Sequence, residues 1–371
     1  MSRGGSGCLP DLRANGRRVG GADGLTHLRG VPPLSGRRHR RGRRTHPPKA
    51  QSDVLRTYRR AIDPDKDTDI AAFRDAVDEW LPAPEERNDD WEVVAEAPTI
   101  VATFAEFEPE AREAIVPPVV EMVDGMAMFV DRHATEGGLR IDDRDELEQY
   151  CYYAAGTVGN LITNLLTRGD ITEDRARRLR DTAEEFGLLL QLVNVSKDVY
   201  DDYTEENNVY LPAEWLADEG VDQERVVHPE NRESSARVVD RTAEYARSFL
   251  DDAQAYLETM PLSNGNTMEA WTVPYLLAVG TLRELSSRPE DALTETGVKI
   301  SRQEVFAVMS VANDAGRGSL AELRQTIART PSTERSSPRT DRRPLSLFTL
   351  LALPALARFR PAPVTAASAP S

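Results

Sequence analysis

The chain has 371 residues, 40% of them hydrophobic, enough for one large domain or two small ones with a sizeable core. A formal net charge of -16 and a pI of about 4.9 argue against nucleic acid as a partner, because a duplex binder presents a basic face; such acidity suits a solvated surface working in high salt. Two cysteines, Cys8 and Cys151, give neither a disulfide framework nor a metal-ligand spacing, and with no apolar leader a cytoplasmic setting is the expectation.

Residues 1–50 differ from the rest. They hold eleven arginines and one lysine against two aspartates, with frequent Gly and Pro and no helical or strand period. From 51 to 330, apolar residues recur at helical spacing and acids crowd the solvent positions. This predicts helices over Asp69–Leu81, Glu110–Arg132, Asp145–Arg168, Glu173–Tyr203, Ser235–Glu258, Met268–Leu285 and Arg302–Asn313. Thr172 and Ser301 stand as capping residues before two of them. Long helices with short connections read as an all-α domain. Residues 331–371 turn Ser-, Pro- and Arg-rich and read as a disordered tail. Within it Leu345–Phe359 is apolar but short and broken by Pro354, below the roughly 20 residues of a spanning helix. A peripheral membrane contact there remains an alternative.

The most informative stretch is Phe186 to Tyr203, F-G-L-L-L-Q-L-V-N-V-S-K-D-V-Y-D-D-Y. Gln191, Asn194, Asp198, Asp201 and Asp202 fall on one helical face. The flanking Leu and Val residues predict burial, and carboxylates side by side are costly to bury without a cation. Asp198, Asp201 and Asp202 offer hard oxygen ligands one turn apart, which suits Mg²⁺ with water and phosphate oxygens completing its shell. The alternative is that the helix leaves the core at Asp198 and the acids are solvated. Gln191 and Asn194 weigh against it, because they carry the polar face into the apolar run.

A second stretch, Glu148 to Leu166, reads E-Q-Y-C-Y-Y-A-A-G-T-V-G-N-L-I-T-N-L-L. Ala155, Gly156 and Gly159 are small and helically spaced, which predicts a closely packed neighbour. Tyr150 and Tyr153 are either core aromatics or hydroxyls aimed into a cavity.

Together these stretches resemble the signature regions of the squalene and phytoene synthase family. Y-C-Y-Y-A-A-G-T-V-G resembles its Tyr-Cys-His-Tyr-Val-Ala-Gly stretch, with Tyr152 where His is common. L-L-L-Q-L-V-N-V-S-K-D-V-Y-D-D resembles its second aspartate motif, with Lys197 where Arg is usual, and N-N-V-Y-L-P from Asn207 to Pro212 resembles the loop that follows. Gly125–His133, Trp271–Leu282 and Gly297–Met309 resemble squalene synthase more than phytoene synthase. The resemblance runs from about Thr99 to Met309.

It implies an isoprenoid-synthase-type helical bundle around a central cavity. The implied substrate is a prenyl diphosphate and the implied cofactors are Mg²⁺ and NADPH. Two farnesyl diphosphates would condense head to head to presqualene diphosphate, and hydride from NADPH would give squalene. Carried over position by position, Asp198 and Asp202 would hold Mg²⁺ with Asp201 beside them, and Lys197 would contact phosphate. Tyr150 would act in the first half-reaction. Gln191, Asn194 and Tyr153 would line the substrate cavity. Lys299 and Arg302 would face the phosphates of NADPH, although Ser301 stands where the family has Arg.

The family also has an earlier Asp-rich helix of the type Asp-Thr-Val-Glu-Asp. Around residues 35–45, its expected place, the chain reads G-R-R-H-R-R-G-R-R-T-H. Asp63, Asp65, Asp67 and Asp69 lie nearby in a turn-like run that reads as a solvated loop and cap. With suitable third positions, codons for Gly36–Arg43 read one nucleotide later spell Val-Ala-Asp-Thr-Val-Glu-Asp. Residues 1 to about 48 are therefore expected to be a frameshifted N-terminus, with the domain's first helices missing; a genuine basic extension is the alternative. The competing functions are a phytoene or dehydrosqualene synthase, which needs no reductant, and a non-catalytic prenyl-lipid-binding helical protein.

Overall fold

The computed structural model describes residues 47–63, 70–87, 89–261, 267–314 and 319–329. Expectations for residues 1–46 and 330–371, including the Leu345–Phe359 stretch, and for Asp65, Asp67 and Asp69, lie outside the described residues. Among the described residues the first helix, α1 (Pro48–Ile62), opens on Pro48, where a missing N–H costs no helical bond. There follow α2 (Ile70–Asp78), α3 (Asp89–Ala95), α4 (Ala97–Ala105) and α5 (Pro109–Arg132). Next come α6 (Arg144–Cys151), a π-helical turn (Tyr152–Gly156) and α7 (Thr157–Leu166). Then α8 (Glu173–Lys197) leads through a helical turn, Val199–Asp201, into a second π-turn, Asp202–Glu206. The remainder is α9 (Ala213–Asp218), α10 (Arg232–Arg247), α11 (Leu250–Thr259), α12 (Thr267–Ser287), α13 (Arg302–Asp314) and α14 (Leu320–Arg329). Among the described residues the single extended pairing is a parallel bridge between Arg140 and Val209.

The all-α expectation holds, and α8 is the post around which the rest is arranged. It packs against α7, α10, α11, α12 and the first π-turn. Its second half is buried, with Leu188, Leu189, Leu190, Leu192, Val193 and Val195 in the core and a polar stripe at Gln191 and Asn194 running along one face. On one side α5 packs on α1 and α7; on the other α12 packs on α13 and α14. The predicted close packing is borne out. A Cβ on Gly159 would overlap the Ala183 carbonyl of α8, and one on Gly187 would overlap the Ala155 carbonyl. The two backbones touch where side chains would hold them apart.

Some expectations are corrected. The helix over Glu173–Tyr203 breaks at Asp198, whose φ of -102° and ψ of 13° leave helical geometry. The one over Ser235–Glu258 is two helices, divided at Ser248 and Phe249. Thr172 makes no side-chain cap bond, whereas Ser301 Oγ accepts the Glu304 N–H at 3.2 Å. Helices α1, α3, α4, α9 and α14 have no counterpart among the predicted ones.

Candidate active site

The end of α8 gathers the polar stripe. Gln191 is buried in the core, and Asn194 Oδ1 is buried with no hydrogen-bond partner. That orphaned acceptor faces an environment that costs free energy unless a donor arrives. One turn on, Lys197 pairs with the Asp198 carboxylate. Asp202 donates its backbone N–H to the Asp198 carbonyl at 2.9 Å, so the two carboxylates lie one turn apart. Burial pushes the Asp202 carboxyl well above the usual carboxylate range; Glu206, Asp198 and Asp201 add to the shift and Lys197 opposes it. Asp201 and Asp202 are half-buried, neither fully in the core nor fully solvated.

The chain then enters the second π-turn and stops at Asn207, which is left-handed with φ 57°. π-turns concentrate at functional sites because the widened turn re-aims side chains. Here the first lies within the Glu148–Leu166 stretch and the second begins at the end of the Phe186–Tyr203 stretch. Asn208 donates its N–H to the Asp202 carbonyl at 2.9 Å and closes the turn. The loop returns beside Leu139–Ile141, with Val209 N–H on the Leu139 carbonyl at 2.9 Å and Ile141 N–H on the Val209 carbonyl at 3.2 Å. A Cβ on Gly138 would overlap the Asn207 carbonyl, so this approach needs glycine.

Tyr150 is 1% exposed, a core ring between Phe129 (centroids 5.4 Å) and Tyr210 (4.7 Å). Tyr153 is half-buried over Gly125 and beside Tyr152, 5.4 Å between centroids. Tyr152 donates its hydroxyl to Glu121 at 2.8 Å, and burial with that carboxylate pushes its pKa up.

Asp198 and Asp202 suit a divalent cation. Among the described residues no three His, Cys, Asp or Glu side chains form a ready-made cage, but Mg²⁺ takes one or two carboxylates and leaves the rest to water and phosphate. Burial and the neighbouring carboxylates disfavour a charged Asp202 carboxyl, a disfavour that a nearby cation would relieve. Lys299 and Arg302 are brought to a different place, exposed at the start of α13. Their side-chain donors suit phosphate.

A cavity of about 500 Å³ opens elsewhere, lined by Asp143, Arg144, Glu214, Trp215, Arg241 and Tyr245. None of the residues singled out from sequence lines it. Sequence reasoning missed Arg140, Asn208 and Tyr210 as parts of the site. Arg140 stands alone in G-G-L-R-I, where nothing signals burial. Tyr210 could have been found, since it belongs to the N-N-V-Y-L-P loop.

Comparison with known proteins gives the fold and the family. The helical arrangement is that of the isoprenoid-synthase class: the solved complex of TcSQS with the ligand BPH1237 superposes with a TM-score of 0.58 at 17% identity, covering 77% of this chain and 85% of that one. The squalene/phytoene synthase family model matches residues 47–304, and the chain belongs to that family. A 15-cis-phytoene synthase of Enterobacter agglomerans is 34% identical over 172 residues, covering 46% of this chain and 52% of that protein. A squalene synthase of Schizosaccharomyces pombe is 22% identical over 220 residues, covering 59% and 47%. The chain spans about half the length of the curated relatives it matches.

Proposed function

We propose that this protein joins two farnesyl diphosphates head to head to presqualene diphosphate and reduces that product with NADPH to squalene. The observation that carries the reading is the carboxylate pair Asp198 and Asp202, held one turn apart where a buried helix ends and followed by a turn that leaves Asp202 short of positive charge. Mg²⁺, when bound there, would supply positive charge to the leaving diphosphate. Lys197 would release Asp198 to contact a phosphate oxygen. Gln191 and Asn194 would orient the substrate from the buried side, and Tyr153 would line its path. The apolar surroundings of α8 would keep water from a carbocation. Tyr150, fixed between two rings, would serve the first half-reaction. Lys299 and Arg302 would hold the phosphates of NADPH, whose chemistry is hydride donation.

A second reading is a phytoene or dehydrosqualene synthase, favoured by the 34% identity to a 15-cis-phytoene synthase. Incubation with farnesyl or geranylgeranyl diphosphate and Mg²⁺, with and without NADPH, separates the two. Squalene that requires NADPH supports the first reading; a hydrocarbon formed equally well without it supports the second.

The N-terminal stretch is read as frameshifted from 1 to about 48. In support, the family match begins at residue 47, next to the change in composition. Sequencing the gene across codons 30–50 tests this, and a frame without an Asp-rich alternative would sink it. On this reading the chain as written has little activity and the repaired chain regains it. Prenyl binding without turnover in the repaired chain would favour a binding protein instead.

A further inference from the structure

Arg140 is a cation at 5% exposure with Nε, Nη1 and Nη2 of its guanidinium all engaged. Nη1 donates to the carbonyls of Leu139 (2.9 Å) and Asn207, and Nη2 to Asn207 Oδ1 at 3.0 Å. Nε donates to Glu224 Oε1 at 2.8 Å, the one partner near the surface. Asn207 Nδ2 in turn donates to the Gly137 carbonyl at 3.1 Å. The left-handed residue that ends the Asp202–Glu206 turn is therefore held through both its carbonyl and its side chain. The next residue passes the constraint on. Asn208 Oδ1 accepts the Leu139 N–H at 2.8 Å, and Asn208 Nδ2 donates to Glu206 (3.2 Å) and to the Tyr210 hydroxyl (3.1 Å). Tyr210 lies against Tyr150.

We propose that Arg140 is a positioning residue: by gripping Asn207 it fixes where the π-turn ends, and so where Asp202 stands relative to Asp198, and through Asn208 and Tyr210 it seats Tyr150. This rests on the reading of Asp198 and Asp202 as the divalent-cation site and deepens it. The grip depends on the planar fork of Arg, whose spread donors let one group satisfy four acceptors at once; the ammonium of Lys has three donors at a single point and cannot span them. Groups that orient a metal ligand from behind typically matter about 10–100-fold to metal affinity.

The test uses the full chain and the variants Arg140→Lys, Arg140→Gln, Glu224→Gln and Asp202→Asn. Amide hydrogen exchange is followed across residues 198–211, and Mn²⁺ is titrated in the presence of inorganic diphosphate by electron paramagnetic resonance. Both Arg140 variants should lose protection across 198–211 while residues 186–195 stay protected, and should bind Mn²⁺ about tenfold or more weakly. Glu224→Gln, which loses a half-exposed ion pair, should move neither. Parent-like exchange in Arg140→Gln overturns the positioning role whatever the metal does. Parent-like behaviour of Arg140→Lys in both measurements overturns the role of the fork. Loosened exchange, together with Mn²⁺ affinity that Asp202→Asn leaves unchanged, upholds the positioning and removes the metal reading instead.

Discussion

Glu146 shows how a buried carboxylate is kept charged in this protein. Its side chain is 9% exposed and accepts Arg132 at 2.6 Å and the Asp142 N–H at 2.7 Å, with His133 Nε2 at 3.3 Å. Burial alone would push its pKa up; the Asp142 N–H, Arg132 and His133 outweigh burial and hold it below its ordinary value of 4.5. A depressed carboxyl stabilises the fold above its unfolded value, and that stability is lost as pH falls through the folded one. Glu146→Gln should therefore cost about 1–3 kcal/mol at pH 7 in urea unfolding, with the gap to the parent closing below about pH 4. Asp202 is the opposite case, a carboxyl held up by burial and like charge. Asp202→Asn should raise the melting temperature of the metal-free protein and abolish any further rise on adding Mn²⁺. Scanning fluorimetry with and without the ion reads both effects; a lower melting point in the metal-free variant would contradict the account. The residue types of this site were legible in sequence, because one helical face collects Gln191, Asn194 and Asp198 by period alone. The unpaired Asn194 Oδ1 was not, since pairing depends on neighbours that the chain brings from elsewhere.

At the scale of elements, the contact of α7 with α8 determines how close the two signature stretches lie. Gly159 and Gly187 allow it, each facing a carbonyl of the other segment. Gly159→Ala should destabilise the protein by about 1–3 kcal/mol, the usual result of overpacking, although Ala is the better helix former. Gly169→Ala, whose Cβ would find its nearest atom 3.9 Å away, should stay within about 0.5 kcal/mol of the parent. Thermal unfolding of the pair separates packing from helix propensity. Helix period predicted α5, α12 and α13 closely, because one face of each is continuously apolar. It ran α8 too far, since Val199 and Tyr203 sustain the apolar rhythm past Asp198 while the backbone departs from it. It also missed both π-turns, where one extra residue per turn leaves the polar and apolar order intact.

For the molecule as a whole, charge and connectivity matter most. At a net charge of -16 the folded chain repels itself. Raising salt from about 0.1 to about 1 M shortens the screening length from about 10 to about 3 Å, so the melting temperature should rise by several degrees in KCl. The exposed pairs, such as Arg237 with Glu233 and Arg241 with Asp218, are each worth too little to reverse that trend. A melting temperature that falls with salt would mean attractive pairs dominate instead. Among the described residues no helix is long and apolar enough to cross a membrane. The sequence by itself determined the helical class, the placement of the acids at the end of a greasy helix, and the family, because these follow from local period and from side-chain chemistry in order along the chain. Tertiary structure decided the rest. Arg140 meets Asn207 across 67 residues of chain, and Tyr210 comes to lie on Tyr150. Such contacts depend on how helices pack, and packing is set by complementary surfaces that no local pattern encodes.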